Sequence, residues 1–209
     1  MKQVKFSQMK DGDKADYEFL EKLEHGYIAQ LPSRIVKALE ELEDSFSGYK
    51  ISRLDHSLQS ATMAWRGGAD TDWVIAALVH DVGDGLAPYA HDKFAAEIIR
   101  PFVREQCTWV VENHFDFQKY YFNHFFDANR FERDKHKDSP YFDDCVNFCE
   151  LWDQSAFDPD YEQLPLEFFE PIINEVFTRK PFLDHVIQTG TRLPLQHAEK
   201  AKERKSALN

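Results

Sequence analysis

At the end of the apolar run Trp73–Val79 stand His80 and Asp81, an imidazole and a carboxylate that a helix end would present side by side. Both are donors to a divalent metal ion. A His-Asp pair arises by chance in many chains, so its meaning depends on what else the sequence supplies. His56 lies upstream on an amphipathic stretch of its own, His91 comes ten residues after Asp81, and His114 and Asp153 follow. Four imidazoles with two carboxylates form a mixed nitrogen and oxygen set that suits iron, manganese or a similar borderline ion. The remaining histidines, His25, His124, His136, His185 and His197, have no place in this pattern and read as structural or solvated. His124 is the one exception to watch, because of the loop it occupies.

Helices must bring these residues together. Apolar positions recur with helical spacing nearly everywhere, and no strand alternation is visible, so the expected fold is all-α and compact. Ile35, Val36, Leu39, Leu42 and Phe46 fall on one stripe, with Ser33 as its expected N-cap. A second helix carries Leu54, Leu58 and Ala61 and stops at Gly67-Gly68. Thr71, followed by Asp72, is the expected cap of a third, which runs to about Val82 before Gly83, Gly85 and Pro88 force a loop. Further helices are expected from His91 to before Pro101, from Val103 to His114, from Tyr141 to Asp153 and from Glu167 to Phe177. The segment Phe115–Pro140 has weak periodicity and reads as mixed helix and long loop, a kind of segment that is usually functional or mobile. One domain over 1–193, with its core in about 50–160, precedes a polar, Lys-rich and frayed tail over 194–209.

The composition narrows the partners. A chain of 209 residues with 43% hydrophobic residues, 18 of them Phe, can bury a core without staples. Lys and Arg number 25 against 37 Asp and Glu, a net charge of −12. That balance argues against a nucleic-acid partner, which needs a basic face, and against docking on anionic lipid. Three cysteines, Cys107, Cys145 and Cys149, are an odd number and no disulfide framework; Cys145 and Cys149, one helical turn apart, read as core packing. Trp73–Val79 is far too short for a membrane span, and the charged N-terminus has no apolar signal region. A reduced, cytoplasmic setting is the expectation.

In the order His56, His80-Asp81, His91, His114, Asp153, the sequence resembles the HD-domain superfamily over about half its length, Leu54 to Asp158. The simplest members of that superfamily have only His…His-Asp…Asp and one metal ion. The additional His91 and His114 are what a dinuclear site requires. The resemblance implies a helical bundle with a buried pair of ions. Asp81 would bridge them, His56, His80 and Asp153 would complete one ion, and His91 and His114 would serve the other.

Two chemistries are found in six-ligand members: metal-dependent phosphohydrolysis, and dioxygen activation by a mixed-valence Fe(II)/Fe(III) pair, as in myo-inositol oxygenase and the phosphonate oxygenases. The segment Leu54-Asp55-His56-Ser57-Leu58-Gln59 and the short distance from Asp81 to His91 are similar to the phosphonate oxygenases. The resemblance therefore implies two iron ions, dioxygen, and cleavage of a small hydroxylated, phosphonate-bearing substrate. The alternative is a Mn- or Mg-dependent hydrolase of nucleotides or small phosphate esters. A third reading, a non-catalytic binding module, is disfavoured by the complete donor set, because unused buried ligands cost stability.

Some residues depart from the pattern. A Lys after the His-Asp-x-Gly unit, as in inositol oxygenase and the cyclic-dinucleotide phosphodiesterases, is here Asp84. The tyrosine that caps an iron in phosphonate oxygenases falls on Phe46, so whether Tyr27 or Tyr49 takes that role is open. Gln118, Arg130, Arg133 and Lys135 are candidate contacts to a substrate oxyanion, with solvation of a loop as the competing reading. Tyr120, Tyr121 and His124 are candidate walls of a substrate pocket, or core.

Overall fold

The computed structural model describes residues 3–207, and among them every regular element is helical. Helix α1 (Lys14–Ile28) is followed by α2 (Leu31–Glu40), α3 (Arg53–Arg66), α4 (Thr71–Val79), α5 (His91–Ile99) and α6 (Glu105–Phe122). Short 3₁₀ turns at Asn123–Phe126 and Glu132–His136 lead to α7 (Phe142–Phe148), which passes directly into a π-helical turn, Cys149–Asp153. Then come α8 (Leu166–Phe177), α9 (Asp184–Ile187) and α10 (Ala198–Ala207).

The centre of the bundle is α4. Its sequence is apolar on every side, and each residue from Asp72 to Val79 is buried. A helix without a polar face has to be surrounded, and α3, α6 and α8 supply the surround. The start of α4 is fixed by polar contacts. The Asp70 side chain accepts the Trp73 N–H as N-cap, and Asp72 accepts from the backbone and side chain of Arg104 and from Arg179. Helices α5 and α6 pack as a second pair, and α7 lies on α6. A core of buried aliphatic and aromatic residues, with Trp73, Phe117, Phe148 and Trp152 wholly inside, joins these pairs.

Several boundaries differ from expectation for local reasons. Pro32 in the first turn, where a missing N–H costs nothing, allows α2 to begin at Leu31, so Ser33 lies inside the helix and Gln30 is the cap residue. That helix ends at Glu40, and Phe46 is left 72% exposed instead of on the core stripe. Asp70, not Thr71, caps α4, which stops at Val79 rather than Val82. Helix α6 continues past His114 to Phe122. The tail is ordered: α10 packs on α3, the His197 N–H donates to Gly67 O, and Arg204 donates to the carbonyls of Trp65 and Ala69. Among the described residues, no helix is long and apolar enough to cross a membrane.

Candidate metal centre

Each of the six residues sits where an element ends or changes pitch, apart from His56 and His114, which face inward from α3 and α6. Ser52 caps α3 in a reciprocal box with Asp55, which sets the helix phase that turns His56 toward α4. His80 closes α4 as its C-cap residue, and Asp81 follows it in the turn. His91 opens α5. Gly83 lets the intervening loop pass against this point, since a Cβ there would lie 2.8 Å from His91 O. Asp153 is delivered by the π turn, whose wider pitch is closed by a bond from Gln154 N–H to Cys149 O at 2.9 Å. Such turns often mark functional sites.

The side chains converge at one buried point. Asp81 divides its two oxygens between two groups of histidines. Its Oδ2 lies 3.5 Å from His56 Nε2 and 3.6 Å from His80 Nε2. Its Oδ1 lies 3.4 Å from His91 Nε2 and 3.3 Å from His114 Nε2. Asp153 Oδ1 closes the first group, at 3.4 Å from His56 Nε2 and 3.6 Å from His80 Nε2. His56, His80, Asp81 and Asp81, His91, His114 are thus two overlapping sets, each compact enough to hold a metal ion, and a third set joins His80, His114 and Asp153.

The orientation of the rings fits ligation. Carbonyls only accept, so the Nδ1–H groups of His56, His80 and His114 donate to Ala156 O, Ala77 O and Val111 O at 3.0, 2.8 and 2.7 Å. That arrangement fixes the tautomer and leaves each Nε2 free to bind a metal ion. His91 turns its Nδ1 toward Asp84 Oδ1 at 3.5 Å. With the Nδ1 hydrogens committed, His56 Nε2 and His80 Nε2 stand 3.1 Å apart as facing lone pairs unless a proton or a metal ion lies between them. Asp81 Oδ2 is buried with no aligned hydrogen-bond donor, although Arg53 stands 3.3 Å away. A buried, unpartnered carboxylate oxygen costs energy, and a cation removes that cost. The donor set therefore fits a divalent metal ion.

Electrostatics agree. Burial alone disfavours protonation of His56 and His80, but the hydrogen bonds and charges of Asp153 and Asp81 outweigh it and raise both pKa values. Burial also works against the charged forms of Asp81 and Asp153, yet the surrounding imidazoles hold both well below the usual carboxylate range. At His56 and His80 a proton and a metal ion therefore compete for the same Nε2. At His91, burial prevails and the pKa falls.

The other sequence candidates are placed as follows. Gln118 reaches the cluster: its Nε2 donates to both oxygens of Asp153, at 2.7 and 2.6 Å. Tyr121 donates to Glu150 Oε2 at 3.1 Å, on the π turn. His124 rests against Phe125, Lys135 pairs with Asp116, and Arg130 and Arg133 stack on Tyr120; among the described residues, none of these four bonds to a cluster side chain. Tyr49 lies on Phe157, which stacks on His56 with centroids 4.4 Å apart. Tyr27 is exposed beneath Arg34. Cys145 and Cys149 are buried against the carbonyls of Val110 and His114, and burial pushes both thiols up, away from thiolate ligation.

Sequence reading missed Arg53. It lies one turn before His56 on the same face of α3, and that i, i+3 spacing was the available signal. Its guanidinium joins Asp81 and Asp84, and its Nε is buried with no partner. Phe46, Arg53, Asp84, His91 and Phe115 line a cavity of about 350 Å³ beside the cluster. Larger clefts, of about 530 and 510 Å³, are lined by other residues and by none of the six.

Residues 53–153 match the family model of the HD domain, a span that holds all six cluster residues from His56 to Asp153. HD-domain proteins are in general metal-dependent enzymes, hydrolases and oxygenases among them. No curated protein matches the chain.

Proposed function

We propose that this protein is a dinuclear metal enzyme, a mixed-valence di-iron oxygenase that uses dioxygen to cleave a small hydroxylated oxyanion of the hydroxyphosphonate type. The observation that carries the two-ion reading is Asp81, whose oxygens face separate histidine pairs. Four imidazoles for two carboxylates is a nitrogen-rich set that favours iron over magnesium. When bound, an Fe(II)/Fe(III) pair supplies dioxygen activation and a Lewis-acidic seat for the substrate's hydroxyl and oxyanion.

The chain's own residues do the rest. Nδ1 donors fix three rings, and Gln118 holds the Asp153 carboxylate in one orientation. The cavity at His91 admits the substrate, and Arg53, held at its edge by Asp81 and Asp84, adds positive charge toward an oxyanion. Phe157 over His56 and Phe115 beside His91 exclude water from the histidine faces.

The second reading, a metal-dependent phosphohydrolase, is favoured by the same Arg53, because a phosphate ester presents the same oxyanion, and two ions also activate water. Metal analysis and electron paramagnetic resonance separate the two. The oxygenase is supported by two irons per chain, a coupled Fe(II)/Fe(III) signal and substrate-dependent oxygen uptake. Phosphate release from nucleotides with Mn or Mg, and no iron spectrum, sinks it.

A further inference from the structure

Beyond the metal cluster, the end of α6 and the loop behind it hold two arginines in an unusual setting. The guanidinium carbons of Arg130 and Arg133 lie 4.1 and 3.9 Å from the centroid of a single ring, Tyr120, and Arg130 also stands near Phe131. Aromatic faces hold a guanidinium flat and leave its N–H edge free. Among the described residues, neither side chain makes an ion pair or a hydrogen bond, and Arg130 Nε is buried with no partner. Their neighbours are different. Lys119, Lys135 and His136 converge on Asp116, and Lys137 takes Asp134.

Scarcity of acid does not explain this, in a chain with 37 Asp and Glu against 25 Lys and Arg. Two guanidinium charges stand against one ring with no carboxylate partner among the described residues, and a bound anion would supply the missing counter-charge and an acceptor for the buried Arg130 Nε. We propose that Arg130 and Arg133, held by Tyr120, form a receptor for a small tetrahedral oxyanion, a phosphate or a phosphoryl or phosphonate group, separate from the metal centre. Two guanidinium forks match the spread of oxygens on such a group better than point charges would. The proposal does not rest on the identity of the metal or of the reaction.

The test uses the metal-loaded protein and a guanidine-selective dicarbonyl reagent, phenylglyoxal, with the modified arginines mapped by mass spectrometry. Saturating inorganic phosphate is expected to slow modification of Arg130 and Arg133 together by about tenfold. Acetate is expected to protect them less. Protection confined to Arg53, with Arg130 and Arg133 reacting at their unliganded rates, overturns the proposal, and equal protection by acetate overturns the tetrahedral assignment. The double variant Arg130→Lys/Arg133→Lys keeps charge and stacking stem but loses the forks, and should bind phosphate about tenfold more weakly by calorimetry; unchanged affinity would overturn the site as well. Since the first measurement needs no variant, a double variant that misfolds does not remove the test.

Discussion

Asp81 is the residue on which the proposed two-ion arrangement turns, because one carboxylate faces both histidine pairs. His91 and His114 bear only on its Oδ1 side. His91→Ala or His114→Ala is therefore expected to lower the metal content from two ions per chain to one, with an unchanged helical circular dichroism spectrum. Both variants retaining two ions would show that these rings are not ligands. Gln118 acts through Asp153. Gln118→Ala removes a donor that spans both Asp153 oxygens, and loss of such an orienting contact weakens metal binding by roughly 10–100-fold. Competition with a chelator reads that directly, and an affinity equal to the parent's would mean Asp153 is oriented by other contacts.

At the level of elements, α4 holds His80 and Asp81 in place, and its own position depends on a buried knot of charge. Asp72 accepts from Arg104, whose side chain is 4% exposed, and from Arg179. Asp72→Ala removes the carboxylate shared by both arginines and leaves the buried Arg104 guanidinium with Asp70 as its remaining acid partner. The expected cost is about 3–5 kcal/mol, measurable by urea denaturation as a lower midpoint with the same slope. A loss under 1 kcal/mol, on the scale of an exposed pair, would mean that water or Asp70 takes over the arginines. The π turn is the other decisive element. Its closing bond from Gln154 to Cys149 displaces Asp153 from where an α-helix would carry it, and nothing in the sequence Cys-Glu-Leu-Trp-Asp announces that change of pitch.

For the whole molecule, the C-terminal helix seals one end of α3. Gly68 has φ +78°, and a Cβ there would meet His197 O at 2.3 Å. Gly68→Ala must distort the backbone or displace α10, at about 1–3 kcal/mol. It should lower Tm and make the chain after Leu195 the first site of limited proteolysis. Gly26 is the contrast. It lies in α1 with ordinary φ and nothing within 4 Å of a Cβ, so Gly26→Ala should raise stability by about 0.4–1 kcal/mol. A fall in Tm at Gly26 would show that α1 packs more closely than its surroundings indicate.

The sequence by itself determined the helical class, the glycine stop after α3, the apolar run of α4 and the six His and Asp residues that the fold gathers, because periodicity, caps and residue chemistry are properties of short segments. His80 and Asp81 are adjacent, so any helix end presents them together. Helix α1 is not legible in the sequence, since its apolar residues are sparse, and the polar tail reads as frayed because its residues do not show that the Trp65 and Ala69 carbonyls accept from Arg204. Only the tertiary structure decided which oxygen of Asp81 meets which histidine, and that Gln118 points at Asp153 while Arg130 and Arg133 gather on Tyr120. Those outcomes depend on how helices far apart in the chain are rotated against one another. The energy that sets this rotation is shared over the whole core, and no local stretch of sequence contains it.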